Sequence, residues 1–208
     1  MSRALFRKLA VLAVVVFAMG WALARPPAAQ AAAKLDTAIF AGGCFWCMET
    51  DMKAIPGVVS VESGYTGGTL KNPTYQDVIT EKTGHYESVR VKFDPSRITY
   101  RQLLDRYWKL VDPTDNGGQF CDRGPSYRPV VFVDGPEQQK VAEESRAAAA
   151  KTLRTGRMVT PILPATTFYP AEEYHRDFAK RHALQYEMYR TGCGRDARLA
   201  EVWGKAGG

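Results

Sequence analysis

Residues 37–55 read TAIFAGGCFWCMETDMKAI. The first five residues form a short apolar run, which predicts a β-strand, and Gly42-Gly43 predicts a tight turn. Cys44 then opens a segment with helical character, which Pro56-Gly57 stops. The pattern therefore predicts a strand that leads through a glycine turn into a helix with a cysteine in its first turn.

Outside this segment, hydrophobic periodicity predicts further strands and helices. His85 to Phe93 alternates cleanly and places Glu87 on the apolar face of a half-buried strand. Thr99 to Val111 is predicted as a helix that begins with a capping box between Thr99 and Gln102. The other predicted elements are strands at 58–65, 127–134 and (broken) 159–168, helices at 136–156 and 170–190, and a patternless tail at 194–208.

The order of these elements mixes strands with helices, and two strands follow each other directly. That order favours a two-layer α/β (α+β) sandwich over a doubly wound parallel sheet. No Gly-x-Gly-x-x-Gly or phosphate-loop pattern follows a predicted strand, so the sequence indicates no nucleotide cofactor. The chain has 208 residues, 45% apolar and 24% charged, which is typical of a globular protein. We expect a single catalytic domain at 34–208.

The N-terminus has the pattern of an export signal. Arg3, Arg7 and Lys8 precede an apolar run from Leu9 to Ala24, and small residues with A-x-A patterns follow. We therefore interpret residues 1–33 as a signal peptide, with an uncleaved N-terminal anchor as the alternative. Either interpretation predicts an exported protein, periplasmic if the host is Gram-negative.

The net charge of +6 lies mostly in this leader, which has four basic residues and no acidic one. The remaining chain has 24 basic and 22 acidic residues, a net charge of +2. This excess is too weak and too scattered to indicate a nucleic-acid partner.

The C-x-x-C pair, Cys44 and Cys47, is the main chemical signal. At the first turn of a helix, unpaired N–H groups and the helix dipole favour a thiolate, so we expect a lowered pKa and a nucleophile at Cys44. Cys47 lies on the same helical face and could attack a sulfenic acid on Cys44 to close a disulfide. The spacing also occurs in thiol–disulfide exchange enzymes, in structural disulfides and in metal sites. A zinc site would need a second pair of closely spaced ligands, and the sequence has none.

Other side chains suit the reduction of a sulfoxide at this thiol. Phe45 and Trp46 could form an apolar pocket for an S-methyl group, or could simply be core residues. Burial should raise the pKa of Glu87 and make it a proton donor, unless it is paired with a basic residue such as Arg128. Tyr75 and Tyr127 lie in or beside loops and could donate hydrogen bonds to the oxygen.

Six stretches, in the expected order over residues 37–190, resemble the A-type peptide-methionine (S)-S-oxide reductases. Their combination is specific for this family even where the single stretches are not. The stretches are Gly42-Gly43-Cys44-Phe45-Trp46, Gly64-Tyr65-Thr66-Gly67-Gly68, Asn72-Pro73-Thr74-Tyr75, Thr83-Gly84-His85-Tyr86-Glu87, Cys121-Asp122-Arg123-Gly124-Pro125-Ser126-Tyr127-Arg128 and Phe168-Tyr169-Pro170-Ala171-Glu172-Glu173-Tyr174-His175.

The resemblance implies a ferredoxin-like two-layer fold with a mixed sheet and reduction of the S epimer of methionine sulfoxide, protein-bound and free, in the repair of oxidised proteins. It also implies a role for individual residues. These roles are nucleophile for Cys44, proton donor for Glu87, oxygen-binding hydroxyls for Tyr75 and Tyr127, methyl pocket for Phe45 and Trp46, and contact with the substrate backbone for Asp122.

More than one cysteine is a candidate for the thiol that recycles the oxidised enzyme. Cys47 is the first candidate for the resolving thiol because of its spacing, and Cys193, between two glycines, is the second. The role of Cys121 stays open. The resemblance implies a thioredoxin-like external dithiol as reductant and no bound cofactor, and we expect a monomer. The alternatives are an exported thiol–disulfide oxidoreductase and a metal carrier that uses Cys44, Cys47 and a histidine.

Overall fold

The computed structural model describes residues 34–204. The predicted leader at 1–33 lies outside the described residues. No helix within 34–204 is long and apolar enough to cross a membrane.

The centre of the fold is a six-stranded mixed sheet, ordered β7-β6-β1-β3-β2-β8. Only β6 and β7 pair in parallel; the other neighbours are antiparallel. A separate two-stranded sheet joins β4 and β5. The strands are β1 (Asp36–Ala41), β2 (Val58–Thr66), β3 (Tyr86–Phe93), β4 (Gly118–Gln119), β5 (Asp122–Arg123), β6 (Val130–Val133), β7 (Ile162–Pro164) and β8 (Tyr169–Pro170).

Seven α-helices and two 3-10 helices accompany these strands within the described residues. The α-helices are α1 (Phe45–Lys53), α2 (Tyr75–Val78), α3 (Tyr100–Trp108), α4 (Gly135–Ala150), α5 (Phe178–Arg181), α6 (Ala183–Gly192) and α7 (Arg195–Trp203). The 3-10 helices are Pro125–Tyr127 and Glu173–His175. The predicted α/β (α+β) class with a mixed sheet is confirmed.

The main core lies between the helices and one face of the sheet. Helix α1 packs against β2 and β3, and α3 packs against α4. Along β3, Val89, Val91 and Phe93 point into this core, while Tyr86 packs into a smaller cluster on the opposite face. The period of two therefore places Glu87 under the helices, as the alternation predicts.

Helix α3 begins at the predicted capping box. The Thr99 side chain accepts a hydrogen bond from the Gln102 N–H, and the Gln102 side chain accepts one from the Thr99 N–H. Its buried face carries Tyr107, whose ring stacks on Phe40 of β1 at 4.6 Å and whose hydroxyl donates to the Ala41 carbonyl at 2.8 Å. This contact holds the end of β1, immediately before the glycine turn.

The last third of the chain differs from its prediction. The helix predicted over 170–190 is instead β8, the 3-10 helix Glu173–His175, α5 and α6. It breaks because the backbone leaves the helical region at Glu172 and Arg176, which are extended, at Asp177, which is left-handed with φ +51°, and at His182, with φ −132°. The tail expected to lack a pattern contains α7, whose Arg195 and Val202 are buried.

Two other predicted elements are shorter than expected. The strand predicted from Tyr127 begins at Val130, and Tyr127 ends a 3-10 helix. The broken strand at 159–168 keeps only Ile162–Pro164. The loop before Tyr127, predicted without structure, contains the β4–β5 pair.

Candidate active site

The turn from β1 into α1 depends on Gly43. Its φ is +80°, a conformation that favours glycine, and an added Cβ would lie 2.6 Å from Cβ of the buried Gln119. Cys44 follows as the N-cap residue of α1, and its carbonyl accepts from the N–H groups of Cys47 and Met48. The predicted strand, turn and helix are confirmed, and they place the Cys44 side chain inside the protein.

Cys44 and Cys47 are both free thiols and both buried, at 6% and 2% exposure. The two thiols interact, and each shifts the pKa of the other. Burial, then the interaction with the Cys47 thiol and the Glu87 charge, raises the pKa of Cys44 well above its usual value. The interaction with Cys44, followed by the charges of Arg195 and Arg190, lowers the pKa of Cys47 to about 7 against the effect of burial.

The expectation of a lowered pKa at Cys44 was therefore wrong. That expectation assumed first-turn N–H groups that remain available to the sulfur, but the N–H of Phe45 donates to Glu87 instead. Full burial then outweighs the dipole of a nine-residue helix.

Glu87 is buried at 2% exposure, and its Oε2 accepts the Phe45 N–H at 3.0 Å. Burial raises the pKa of Glu87 to about 8, although the Phe45 N–H acts to lower it. Within the described residues Glu87 forms no salt bridge, with Arg128 or any other base. At neutral pH the carboxyl is therefore mostly protonated and can donate a proton.

The hydroxyls of Tyr75 and Tyr127 interact with each other, and both feel the charge of Glu87. Burial raises the pKa of both, so both stay protonated and can donate hydrogen bonds. Tyr75 is the first residue of α2, and its N–H donates to Glu172 at 2.7 Å. The 3-10 helix that carries Tyr127 is held by Glu81, which accepts from the N–H and hydroxyl of Ser126 at 2.8 and 2.7 Å.

Phe45 and Trp46 belong to an aromatic cluster beside the thiols. The Phe45 ring lies 5.0 Å from His175, and Trp46 donates from Nε1 to His175 Nδ1 at 3.2 Å. Trp46 also stacks on Phe178 with ring centroids 3.7 Å apart. Phe45 is buried whereas Trp46 is partly exposed, so Trp46 can border an open pocket.

Asp122 has a partner that the sequence did not indicate. The Tyr189 hydroxyl donates to Asp122 Oδ2 and also interacts with the Cys44 thiol. The Tyr189 ring lies edge-on to Trp46, with centroids 5.8 Å apart. The sequence did not indicate this role for Tyr189. Helical periodicity around Tyr189 predicted one long helix, and periodicity does not show which residues a helix packs against.

Cys121 and Cys193 form a disulfide, with Cα atoms 4.9 Å apart. It joins the turn between β4 and β5 to the end of α6, so it ties Asp122 to the helix that carries Tyr189. The open question of Cys121 is thus answered by its bond to Cys193. In this structure Cys193 is not a free thiol, whereas Cys47 is.

The described residues contain no group of three or more His, Cys, Asp or Glu that could hold a metal ion. The site brings together two neighbouring thiols that can be oxidised to a disulfide and a buried acid that can donate a proton. Such chemistry defines a thiol-dependent oxidoreductase.

Comparison with known proteins narrows this class. The family model for peptide methionine sulfoxide reductase matches residues 36–207. Peptide methionine sulfoxide reductase MsrA 2 of Caulobacter vibrioides is 66% identical over 192 residues, 92% of this chain and 97% of the relative. MsrA of Bacillus licheniformis is 49% identical over 175 residues, 84% of this chain and 97% of the relative. The solved structure of methionine sulfoxide reductase A of Corynebacterium diphtheriae has a TM-score of 0.65 at 30% identity, covering 77% of this chain and 82% of that one.

The chain belongs to the peptide methionine sulfoxide reductase family, A type, and is an oxidoreductase that reduces methionine sulfoxide. The resemblance found in the sequence motifs is confirmed.

Proposed function

We propose that this protein reduces the S epimer of methionine sulfoxide, in proteins and as the free amino acid, with Cys44 as nucleophile and Glu87 as proton donor. The observation that carries the proposal is the buried Glu87 carboxyl, with a pKa of about 8, bound to the N–H of the residue after Cys44. The acid on β3 is thereby held beside the nucleophile at the start of α1.

In the first step the sulfur of Cys44 attacks the sulfoxide sulfur. Glu87 gives its proton to the oxygen as charge develops there, and Tyr75 and Tyr127 donate hydrogen bonds to the same oxygen. The sulfur–oxygen bond breaks, and the oxygen passes to Cys44 with the proton that Glu87 donated, while the proton of the Cys44 thiol returns to Glu87. Methionine leaves and Cys44 becomes a sulfenic acid. Cys44 loses two electrons and the sulfoxide gains them.

Selection of one epimer would come from three parts of the site. Phe45 and Trp46 supply an apolar wall for the methyl group, Asp122 a carboxylate for the substrate backbone, and Glu87 with the two tyrosines the donors for the oxygen. A site that directs these three substituents to separate places accepts one epimer of the chiral sulfur. The motif resemblance to the (S)-S-oxide reductases implies that this epimer is S.

We propose Cys47 as the thiol that resolves the sulfenic acid. It is a free thiol in the first turn of the helix that Cys44 caps, whereas Cys193 is bonded to Cys121. Attack of Cys47 on Cys44 forms a disulfide and releases water. A thioredoxin-like dithiol then reduces this disulfide and completes the cycle.

We further propose that the protein is exported, works as a monomer and repairs oxidised proteins outside the cytoplasm. The basic and apolar leader at 1–33 supports export, to the periplasm of a Gram-negative host or to an anchored position on its membrane. Fractionation of the native host, with a cytoplasmic enzyme as marker, tests this. Recovery with the cytoplasmic marker would contradict it.

A single-turnover assay tests the reaction itself. The reduced protein is mixed with each epimer of a methionine sulfoxide peptide separately, as wild type and as Cys44→Ser. We expect one methionine per protein from the S epimer only, and none from the variant. No methionine from either epimer would reject the proposal and favour an exported thiol–disulfide oxidoreductase instead.

A further inference from the structure

Arg195 is a charged side chain that the proposed chemistry leaves unused. It is the first residue of α7 and is only 2% exposed, deep against α1. Its Nη2 donates to the Leu110 carbonyl at 2.6 Å and lies 3.4 Å from the Met48 sulfur. Its guanidinium also lies over the Phe120 ring at 4.5 Å. A guanidinium stays charged in proteins, so this is a permanently buried positive charge.

A second arginine shares the same counter-ion. Asp51 of α1 pairs with Arg190 at 2.8 Å and with Nε of Arg195 at 3.6 Å. Arg190 has another partner, Asp196, but the side chain of Asp196 is 71% exposed, and water screens it. The buried part of the cluster therefore holds two arginines and one carboxylate. An unbalanced buried charge is costly unless another group of opposite charge is near.

Cys47 is the thiol next to this charge, because it packs against Tyr186, whose hydroxyl accepts a hydrogen bond from Arg190 at 3.0 Å. It precedes Met48 by one residue and Asp51 by one helical turn, and Arg195 contacts both. The Arg195 and Arg190 charges act on the Cys47 sulfur in the direction of a thiolate. The other ionisable groups that face Cys47 are Cys44 and Asp51 on its own helix, Tyr186 and Tyr189 on α6, and Glu87 on β3. Of all these groups, only the two arginines are cationic.

We propose that Arg195 and Arg190 together act as the counter-ion of a thiolate at Cys47. In this proposal Arg195 is the positioning residue for the step in which Cys47 attacks the sulfenic acid on Cys44. This inference rests on the proposed function, with Cys47 as the resolving thiol.

The step balances without any further reactant. The Cys47 thiolate attacks the sulfur of the Cys44 sulfenic acid, a sulfur–sulfur bond forms and the sulfur–oxygen bond breaks. The departing hydroxide takes a proton from solvent and leaves as water. The disulfide formed in this step carries no charge at Cys47. The arginines therefore stabilise the thiolate before the step but do not stabilise the product disulfide.

A purely structural role for Arg195 makes a different prediction. Hydrogen bonds to the Leu110 and Gly42 carbonyls could tie α7 to the segment after α3 and to the turn between β1 and α1 through any neutral donor. A structural role of this kind does not depend on the charge of Asp51. Substitutions at Arg195 and at Asp51 therefore distinguish a structural role from a counter-ion role, because a counter-ion role predicts shifts of the Cys47 pKa in opposite directions.

The test follows resolution in one turnover as a function of pH. Protein with the Cys121–Cys193 disulfide intact and Cys44 and Cys47 reduced is mixed with one equivalent of the S-epimer peptide and quenched over time. Methionine is counted by chromatography, remaining sulfenic acid by dimedone trapping and disulfide by intact mass. The variants are Arg195→Gln, Arg195→Lys, Asp51→Asn and Cys47→Ser, with Arg198→Gln as control. Arg198 lies one turn further along α7 and pairs with Asp112 and Glu201 instead.

We expect wild-type resolution to rise with pH as the Cys47 thiol loses its proton. Arg195→Gln should move the midpoint of this rise up by about one pH unit, which slows resolution about tenfold at pH values below the midpoint while methionine still forms. Arg195→Lys keeps the positive charge, so its midpoint should stay close to that of the wild type. Asp51→Asn should move the midpoint down, and Arg198→Gln should leave it unchanged. Cys47→Ser should accumulate sulfenic acid.

The proposal is overturned if Arg195→Gln slows resolution equally at all pH values, if Asp51→Asn raises the midpoint, or if Cys47→Ser still closes a Cys44 disulfide. A failure of the proposed function looks different, because no methionine would then form even in the wild type.

Discussion

The main-chain N–H of Phe45 donates a 3.0 Å hydrogen bond to the Glu87 carboxyl. Forty-two residues separate the two groups, and the bond connects the first turn of α1 to the buried face of β3. It also removes the N–H that would otherwise face the Cys44 sulfur. One contact therefore places the acid beside the nucleophile and helps to keep the Cys44 thiol neutral until substrate arrives.

Replacement of Glu87 by glutamine should remove the proton donor and keep the contact. The amide oxygen of Gln can still accept the Phe45 N–H, so the fold should persist. Loss of general-acid catalysis should slow methionine formation roughly 100- to 10,000-fold. Rapid-quench single turnover measures this rate, and circular dichroism checks the fold. Glu62→Gln is the matched control, because Glu62 lies on β2 and pairs with Arg90 at the surface. A near-normal rate in Glu87→Gln would remove Glu87 from the mechanism.

The pH dependence of the same step should report the raised pKa of Glu87. The acid loses its proton as pH rises through about 8, so methionine formation should decline on the alkaline side of that value. Glu87→Gln has no proton to lose and should show no such decline. The measurement is the single-turnover rate between pH 6 and 9.5, and a decline that persists in the variant would assign it to another group.

Stability provides a second readout of this shift. The Glu87 pKa is about 8 in the folded protein against an ordinary value of 4.5. Between these values the folded state binds more protons than the unfolded state, so the Glu87 contribution to the free energy of unfolding decreases as pH rises and levels off above about 8. Urea unfolding at several pH values should therefore show a flatter profile in Glu87→Gln than in the wild type.

Tyr189→Phe should lower the catalytic activity without unfolding the protein. The change leaves the Asp122 carboxylate without its hydroxyl donor and removes the contact with Cys44. An unsatisfied buried partner costs about 1–3 kcal/mol, so kcat/KM should fall roughly 5- to 150-fold. Steady-state kinetics with a methionine sulfoxide peptide measures this loss. Tyr174→Phe is the control, since Tyr174 is exposed on the 3-10 helix beside His175. An equal loss in both variants would argue against a specific role for Tyr189.

Removal of the Cys121–Cys193 disulfide should cost stability. The bond closes a loop across 72 residues, and the double variant Cys121→Ser/Cys193→Ser should lower the free energy of unfolding by roughly 2–5 kcal/mol. Methionine formation and closure of the Cys44–Cys47 disulfide should both survive in a single turnover, because neither step uses the outer pair. Loss of resolution in this variant would transfer the resolving role to Cys193.

Gly43→Ala should disturb the Cys44 turn through a collision with Gln119. Gly135 is a matched control, because its φ is +81° but an added Cβ there meets nothing within 4 Å. Both substitutions incur the backbone strain of a left-handed conformation, about 1–2 kcal/mol. Only Gly43→Ala also forces the 2.6 Å contact, so it should lose more stability and most of its activity. Thermal unfolding and the single-turnover assay compare the two, and equal effects would rule out the collision.

Local patterns in the sequence predicted the parts of the site that depend on near neighbours. The apolar run, the glycine pair and the C-x-x-C spacing determine a strand, a turn and a helix around Cys44. Alternation along 85–93 determines the buried face of Glu87, and the capping box determines the start of α3. These features are visible in one chain because backbone geometry and side-chain periodicity act over a few residues.

Tertiary structure alone decided the features that join distant segments. The Tyr189–Asp122 bond, the pairing of Cys121 with Cys193 and the burial of Arg195 connect residues that are 67 or more positions apart or lie in a tail without a sequence pattern. Tertiary structure also decided the direction of the Cys44 pKa shift, because desolvation depends on everything that packs around the sulfur. Sequence determined which groups are present and which way each short segment faces, whereas packing determined which of them meet, since burial and long-range charge are properties of the whole fold.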